Sequence, residues 1–299
     1  MLTENRTGRR IVNSCVEYPL AVQTDLHMPQ TTLGLIIEPE ELARLLDDDQ
    51  LLIVDLCSDE HYSRHHLPGA IHVSPAEIVS GIKPAVGKLP TEERLKALLE
   101  RIGYSPERHI VAYDDEGGGW AGRFIWTMVV LGHESCSYLN GGLIAWAQAQ
   151  LPLTAVTPDI TPTRVAITIN RDVIAEKEDV LSAIDDENTQ IWDARSAEEY
   201  AGSRVVAARG GHVPGAINLD WLDLMDPDRQ LRLRADLAEL VRERGLNSDK
   251  AIITHCQTHH RSGLTWLAGR FLGLNIRAYP GSWSEWGNDP DTPIDNPVG

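Results

Sequence analysis

One pattern occurs twice along this chain of 299 residues, and no other feature restricts the possible folds as strongly. An Asp-x6-Tyr segment occupies residues 55–62 and again residues 193–200. A His-x-Pro-Gly-Ala-Ile segment begins at His66 and again at His212. The copies lie 138 residues apart at the aspartates and 146 residues apart at the histidines, so the second copy holds about eight extra residues before His212. This repeat predicts two homologous domains.

The apolar segments inside the repeat predict the fold of each domain. IVAYD at residues 110–114 corresponds to IITHC at residues 252–256, which lies 142 residues further on. Strands that alternate with amphipathic helices predict an α/β fold, in which each domain is a mainly parallel sheet flanked by helices. We expect strands at residues 51–54, 110–113 and 251–254, and helices at residues 40–46, 92–101 and 235–244. We expect a lead segment at residues 1–32 and a first domain at residues 33–151. A proline-containing linker at residues 152–163 and a second domain at residues 164–299 should follow.

The charge balance restricts the partners of the chain. It carries 27 Lys and Arg against 44 Asp and Glu, which gives a formal net charge of -17. Binding to nucleic acid or to an anionic membrane requires a basic face, so we expect neither partner. The sequence shows no apolar run of about 18 residues and no signal-peptide pattern. Its four cysteines have no regular spacing, which predicts a cytoplasmic protein without a disulfide scaffold.

The segment at residues 251–273 carries the strongest chemical signal. An apolar strand ends at Thr254, polar residues follow, and a helical pattern begins with Leu264. Cys256 therefore lies at a strand-to-helix turn, where free N–H groups and the helix dipole stabilise an anion. Arg261 adds a positive charge to the same loop. We expect the Cys256 thiol to ionise more readily than a free cysteine and to act as a nucleophile.

The other cysteines lack these surroundings. Cys57 and Cys136 lie in or beside predicted strands, where a small buried apolar side chain is the usual role of cysteine. Cys15 lies in the lead segment without suitable arginine or glycine neighbours. Cys256 is therefore the single catalytic candidate.

Together, the Asp-x6-Tyr, His-x-Pro-Gly-Ala-Ile and Cys-x4-Arg elements resemble the rhodanese family of sulfurtransferases in its tandem-domain form. The resemblance covers almost the whole chain from about Leu35 onward. In that family the second domain is catalytic and the first has lost its cysteine. This sequence agrees, because Asp114 stands where Cys256 stands in the second copy. A carboxylate cannot carry sulfane sulfur, so we expect an inert first domain that serves packing and forms walls of the interdomain cleft.

The resemblance implies that Cys256 takes sulfur from a small anionic donor as a persulfide and passes it to a thiophilic acceptor such as cyanide or a thiol. An acceptor protein is a further partner that it implies, and no cofactor is expected besides the covalent persulfide. We expect backbone N–H groups of the loop to converge on the sulfur. The residues predicted to bind the substrate anion are Gln257, Thr258, His259, His260, Arg261, Arg204, Arg209 and Trp283.

The loop also bears on the substrate. Four residues separate Cys256 from Arg261, whereas cysteine phosphatases hold five, and the shorter loop favours sulfur over phosphate. The sequence Cys-Gln-Thr-His-His-Arg matches neither the mercaptopyruvate-type loop nor the mammalian thiosulfate type, and it resembles a bacterial subgroup that uses thiosulfate. Glu199 stands where many members of the family place a donor-binding arginine. Arg204 and Arg209 are the expected substitutes, and thiosulfate is the predicted donor.

Structural roles are expected for several other polar residues. Asp193 and Arg195 are predicted to form a buried pair that braces the end of a strand. His212 has a counterpart in the inert copy, which favours a structural role. We expect no metal site, because His255, Cys256, His259 and His260 have no second Cys/His pair at zinc spacing. The histidines are instead expected to line the anion pocket as neutral donors, and Trp283 is expected near its mouth.

Three interpretations stay open at this point. The first is a thiosulfate sulfurtransferase with a Cys256 persulfide. The second is an enzyme with another donor or purpose, such as 3-mercaptopyruvate or the delivery of sulfur for cofactor or tRNA thiolation. The third is a non-catalytic binding module, against which the pairing of Cys256 with Arg261 argues.

Overall fold

The computed structural model describes residues 33–298, and the lead segment expected at residues 1–32, with Cys15, lies outside this range. The first half of the described residues forms a five-stranded sheet. Its strands are β1 (Ile36–Ile37), β2 (Leu51–Asp55), β3 (Ile71–His72), β4 (His109–Tyr113) and β5 (Cys136–Leu139). The order across the sheet is β1-β5-β4-β2-β3, and all neighbouring strands are parallel.

Five helices accompany this sheet. They are α1 (Pro39–Leu42), α2 (Asp59–Arg64), α3 (Glu92–Arg101), α4 (Gly119–Val130) and α5 (Gly142–Gln148). The hydroxyl of Thr91 caps α3 by accepting a hydrogen bond from the N–H of Arg94, and Leu95, Leu98 and Leu99 bury one face of that helix. Helix α4 is buried along almost its whole length, which fits its position between the two halves of the chain.

The second half repeats the arrangement with a four-stranded sheet. Its strands are β6 (Thr189–Asp193), β7 (Ile217–Asn218), β10 (Ala251–His255) and β11 (Ile276–Ala278), while β8 (Met225–Asp226) and β9 (Arg232–Leu233) form a separate antiparallel pair. The order across the sheet is β11-β10-β6-β7, again with parallel neighbours. The helices are α6 (Lys177–Ala183), α7 (Ala197–Ala201), α8 (Leu237–Glu243), α9 (Arg261–Phe271) and α10 (Ser282–Trp286).

The α/β fold class with two parallel sheets is confirmed. The three strands predicted from apolar runs are present as β2, β4 and β10, each within one residue of the expected ends. The helix expected at residues 92–101 is α3, and the one expected at 235–244 is α8. The prediction for residues 40–46 is only partly right, because α1 ends at Leu42 and a 3-10 helix continues it at Ala43–Leu45. None of the helices within residues 33–298 is long and apolar enough to cross a membrane.

Helices α4 and α9 cross in close contact and join the two halves. A Cβ added at Gly122 of α4 would lie 2.5 Å from the carbonyl oxygen of Gly263, and one added at Gly263 would lie 2.5 Å from the backbone nitrogen of Arg123. Only glycine permits backbones to approach this closely. The crossing brings the loop before α4 beside the loop before α9, where Cys256 lies.

Candidate active site

Cys256 is the first residue after β10, and its loop ends where α9 begins at Arg261. The side chain is fully buried. The N–H of Cys256 donates to the hydroxyl of Ser282 at 3.4 Å, and its carbonyl accepts from the N–H of Trp283 at 2.9 Å. The backbone of Cys256 is therefore held by the start of α10.

The surroundings of Cys256 favour a thiolate. Burial by itself raises the pKa of the thiol, but the charge of Arg261, the hydroxyl and N–H of Ser262 and the N–H of Thr258 outweigh it, so the pKa is lowered overall. Ser262 was not among the predicted residues, although its place in the first turn of α9 is where free N–H groups are expected.

Arg261 is held by a carboxylate. Its Nη1 donates to Oε2 of Glu199 at 2.6 Å and its Nη2 donates to Oε1 at 3.0 Å. Glu199 lies in α7 with only 4% of its side chain exposed. Burial raises the pKa of Glu199, but the hydrogen bonds and charge of Arg261 lower it below its ordinary value, so the residue is ionised. Glu199 is thus the residue that orients Arg261.

His259 does not line an open pocket, contrary to expectation. Its backbone has a left-handed φ of 56°, and its ring lies edge-on to Trp126 of α4 with ring centres 4.5 Å apart. Its Nδ1 contacts the hydroxyl of Ser262 at 2.8 Å. Burial and the nearby Arg123 hold the pKa of His259 well below its ordinary value, so the ring is neutral.

His260 lies between aromatic rings from both halves of the chain. It stacks on Trp120 of α4 at 4.3 Å and is tilted against Trp221 at 5.5 Å. Its Nε2 contacts the carboxylate of Glu116 in the first half. About a fifth of the His260 side chain is exposed (21%), which places it where the loop meets the surface. Sequence reasoning missed Trp120, Trp221 and Glu116, because no local pattern connects them to the loop.

The two arginines proposed to replace the missing family arginine are not brought to the thiol. The terminal nitrogens of Arg209 donate to backbone oxygens of Trp286, Asp289 and Thr292 and to the Thr292 hydroxyl, so that residue fastens the C-terminal segment. Arg204 is exposed, and its side chain makes no hydrogen bond or ion pair with the residues that the structure describes. Of the three arginines predicted at the site, Arg261 is therefore the one whose charge acts on Cys256.

Trp283 does not lie at a pocket mouth either. It is 1% exposed, and the Arg195 guanidinium stacks on its ring at 4.1 Å. Its Nε1 donates to the carbonyl of Arg209 at 3.2 Å. The indole packs inside the second half because the repeat places it in α10 on the core side, beside Trp286. Gln257 is half-buried and donates from Nε2 to the carbonyl of Val206 at 3.4 Å.

Asp193 and Arg195 form a buried ion pair at the end of β6. Nε of Arg195 donates to Oδ1 of Asp193 at 2.9 Å, and Nη2 donates to Oδ2 at 2.6 Å. His255 lies beside the pair, with its Nε2 3.8 Å from Oδ2 of Asp193. His212 stacks on Tyr200 at 3.6 Å, and its counterpart His66 stacks on Tyr62 at 4.0 Å in the first half. The repeated stacking fixes the same turn in both copies.

Asp114 occupies the equivalent turn of the first half. Its Oδ1 accepts hydrogen bonds from the N–H groups of Glu116, Gly117 and Gly118, and its Oδ2 accepts from that of Ala121 at 3.0 Å. The Asp114 carboxylate thus accepts four backbone N–H groups at the position that Cys256 has in the second half. Among residues 33–298, no three His, Cys, Asp or Glu side chains come together in a way that suits a metal ion.

Comparison with known proteins places both halves in one family. The family model for the rhodanese-like domain matches residues 38–149 and again residues 176–289. The thiosulfate sulfurtransferase of Azotobacter vinelandii is 46% identical over 265 residues, covering 88% of this chain and 98% of that protein. The thiosulfate sulfurtransferase of Pseudomonas aeruginosa is 48% identical over 264 residues, covering 88% and 97%. The 3-mercaptopyruvate sulfurtransferase of Escherichia coli K12 is 28% identical, covering 85% and 95%.

Solved structures show the same fold at lower identity. The anaerobic ergothioneine biosynthesis enzyme from Chlorobium limicola superimposes with a TM-score of 0.78 at 20% identity, covering 89% of this chain and 71% of that one. The crystal structure of YnjE superimposes with a TM-score of 0.78 at 21% identity, covering 88% and 68%.

Proposed function

The chain belongs to the rhodanese family, and from that premise we propose that it is a thiosulfate sulfurtransferase whose sulfur carrier is Cys256. The observation that carries the proposal is the buried Cys256 thiol with a lowered pKa, which faces Arg261 and the N–H groups of Thr258 and Ser262. The first domain has a carboxylate at the equivalent position, so one sulfur is carried per chain.

In the first half-reaction the Cys256 thiolate attacks the outer sulfur of thiosulfate. A new S–S bond forms between Cys256 and that sulfur, the S–S bond within thiosulfate breaks, and sulfite leaves with the electron pair. Negative charge then lies on the terminal sulfur of the persulfide. Arg261 and the loop N–H groups stabilise it as they stabilise the thiolate, and their orientation before reaction lowers the barrier.

In the second half-reaction an acceptor such as cyanide attacks the terminal sulfur. The carbon–sulfur bond of thiocyanate forms, the persulfide bond breaks, and Cys256 leaves as the thiolate. Dividing the transfer into two steps through a covalent intermediate predicts ping-pong kinetics. Cyanide or a thiol is the acceptor we propose, and an acceptor protein is a further candidate of the same chemistry.

Three observations support the proposed donor, the bacterial subgroup and the cellular location. The relatives at 46% and 48% identity are named thiosulfate sulfurtransferases, whereas the named mercaptopyruvate enzyme is only 28% identical. The Cys-Gln-Thr-His-His-Arg loop supports a place in the bacterial subgroup that carries that sequence. The acidic chain and its unpaired cysteines among residues 33–298 support a cytoplasmic location.

The donor is tested by comparing kcat/KM for thiosulfate and 3-mercaptopyruvate with cyanide as the acceptor. We expect thiosulfate to be preferred by at least about tenfold, which corresponds to about 1.4 kcal/mol of transition-state stabilisation. A preference for 3-mercaptopyruvate would replace the donor in this proposal while leaving Cys256 as the carrier. The Cys256→Ala variant should produce no thiocyanate from either donor, and activity above background would overturn the mechanism.

A further inference from the structure

The first domain touches the sulfur-binding loop at its centre. A Cβ added at Gly87 would lie 2.1 Å from the carbonyl oxygen of Thr258 and 2.7 Å from that of Pro280. The backbone of Gly87 is not in the left-handed region, so glycine is required here by the close approach alone. The residue it touches, Thr258, is one whose N–H helps to lower the pKa of Cys256.

Arg123 of α4 holds Gly87 in that place. Its Nη1 donates to the carbonyl of Gly87 at 2.7 Å and its Nη2 donates to the carbonyl of Ile78 at 2.8 Å. These bonds fix both ends of the segment at residues 78–87. The guanidinium also lies over the ring of Trp126 at 4.6 Å, and Trp126 contacts the ring of His259 in the sulfur-binding loop.

Arg123 is an unusual cation for a purely structural role. It is fully buried, and no carboxylate forms an ion pair with it among residues 33–298. Burying a charge without an opposite charge is costly. Burial lowers the pKa of Arg123 to about 9, which leaves it charged at neutral pH, and the one acidic group that raises this pKa is Cys256. The Arg123 charge is therefore close enough to the Cys256 sulfur of the other domain for the two groups to attract each other.

We propose that Arg123 is a positioning residue for the sulfur-binding loop: it presses Gly87 onto Thr258 and Trp126 onto His259, and so keeps the Thr258 N–H directed at Cys256. The first domain is then a working part of the active site. The role of Arg123 in turnover rests on the proposed sulfurtransferase function, whereas the effect of Arg123 on the Cys256 thiol does not. The charges that act on the Cys256 thiol come from Arg261 of α9 and Arg123 of α4, while Nδ1 of His255 in β10 contacts the Cys256 carbonyl at 3.2 Å.

The proposal is tested with Gly87→Ala, which pushes on Thr258 without removing any charge. The readout is the rate at which iodoacetamide alkylates Cys256 between pH 5 and pH 10, measured by mass spectrometry of the Cys256 peptide. We expect the Cys256 pKa to rise and the rate at pH 7 to fall by about tenfold, since a hydrogen bond to a charged group is weakened. The matched control is Gly34→Ala, where a Cβ meets its nearest atom at an ordinary 3.6 Å and wild-type rates are expected.

Arg123→Met and Arg123→Lys give an independent test. Methionine removes the charge and both hydrogen bonds, so its alkylation rate at pH 7 should fall by more than tenfold. Lysine keeps the charge and should restore part of that rate. A wild-type alkylation profile in Gly87→Ala, or equal profiles in the Met and Lys variants, would overturn the proposal. If these variants shift the alkylation profile but the wild-type protein forms no thiocyanate from thiosulfate, this inference stands and the proposed function is wrong.

Discussion

At the scale of single residues, burial does not distinguish Cys256 from the other two cysteines that the structure describes. Cys57, Cys136 and Cys256 are all buried. Burial raises the pKa of Cys57 and of Cys136 above the ordinary value, and nearby carboxylates raise both further. Only at Cys256 do a cation and hydrogen-bond donors outweigh burial. Reactivity therefore depends on what lies around the sulfur atom.

This difference predicts a selective reaction of Cys256 at neutral pH. Because the thiolate is the reactive form, a lowered pKa keeps Cys256 reactive at a pH where an ordinary cysteine is protonated. Iodoacetamide at pH 7 should label Cys256 at least about tenfold faster than Cys57 or Cys136, since each unit of pKa difference is worth about tenfold in thiolate. Peptide mass spectrometry measures the three rates, and equal labelling would contradict the assigned surroundings.

Glu199 provides a second prediction at this scale. Its carboxylate neutralises part of the Arg261 charge, so Glu199→Gln should leave the site more positive while keeping a side chain of the same size. We expect the KM for thiosulfate to fall by about fivefold, because removing a charge near a partly buried site is worth roughly 1 kcal/mol. Steady-state kinetics with cyanide measure it. An unchanged KM would show that Glu199 acts only by orienting Arg261, and Glu198→Gln on the exposed side of the same helix is the matched control.

The sequence predicts Cys256 and Arg261 as site residues, because both lie in one short loop whose spacing carries the signal. It does not indicate Ser262, Gly87 and Arg123. Gly87 and Arg123 act across the contact between the domains. The local residue pattern does not show which distant segment packs against the loop that follows Cys256. Arg209 and Trp283 were predicted to bind the substrate anion, but the Arg209 guanidinium binds the C-terminal segment and the Trp283 ring packs against Arg195.

At the scale of elements, the two strand-to-helix turns are copies with different occupants. In the second domain a sulfur atom receives N–H groups before α9, and in the first the Asp114 carboxylate receives them before α4. Burial and the nearby Glu116 raise the pKa of Asp114 to about 6, against the effect of those donors, so it remains mainly ionised at neutral pH. Backbone N–H groups of the turn therefore act on an acidic side chain in both copies, a carboxylate in the first and a thiol in the second.

A turn of this shape should not be sufficient for sulfur transfer. The Asp114→Cys variant places a thiol in the first turn, but Gly119 stands where Arg261 stands, and Glu116 lies in the same loop. We expect this variant to hold one sulfur per chain after thiosulfate treatment, on Cys256. Intact-protein mass spectrometry counts the sulfur atoms, and a second one would show that the N–H groups are sufficient without an arginine.

The sequence predicted strands and helices well wherever apolar periodicity was strong, as at β2, β4 and α3. It predicted them less well at α1, where the periodic stretch changes to a 3-10 helix. It gave no account of the β8–β9 pair, because two strands of two residues each leave no periodic signal. Their pairing depends on contacts with the rest of the chain.

At the scale of the whole molecule, one apolar cluster spans the two halves. Phe124 and Trp126 of α4 belong to the same buried cluster as Leu264 and Leu267 of α9. Ion pairs between the halves, such as Lys88 with Glu285 at 2.9 Å, are partly exposed and contribute little by comparison. The glycine contact between α4 and α9 therefore controls how the first domain meets the catalytic loop.

This predicts a specific effect of Gly122→Ala. The added Cβ would lie 2.5 Å from the carbonyl oxygen of Gly263, so α4 and α9 must separate. We expect the free energy of unfolding to fall by about 1–3 kcal/mol, as for other overpacked contacts, and sulfur transfer to fall with it. Urea unfolding measures the change against Gly34→Ala as the control. A wild-type midpoint and wild-type turnover would show that the two helices do not meet as described.

The net charge of -17 belongs to the whole molecule, whereas the donor meets one local site. Between Ala251 and Trp283 the sequence holds no Asp or Glu, and this stretch includes Cys256 and Arg261. Arg123 adds a cation from the first domain. A small dianion is therefore compatible with an acidic protein, because the charge that it meets is local.

The most direct test is the mass of the intact protein after brief treatment with thiosulfate. We predict a gain of one sulfur atom, about 32 daltons, located on Cys256, which is lost when cyanide is added and thiocyanate appears. The Cys256→Ala variant should show no gain under the same conditions. A wild-type protein that gains no sulfur, or that gains it on Cys57 or Cys136, would contradict the assignment of Cys256 as the sulfur carrier.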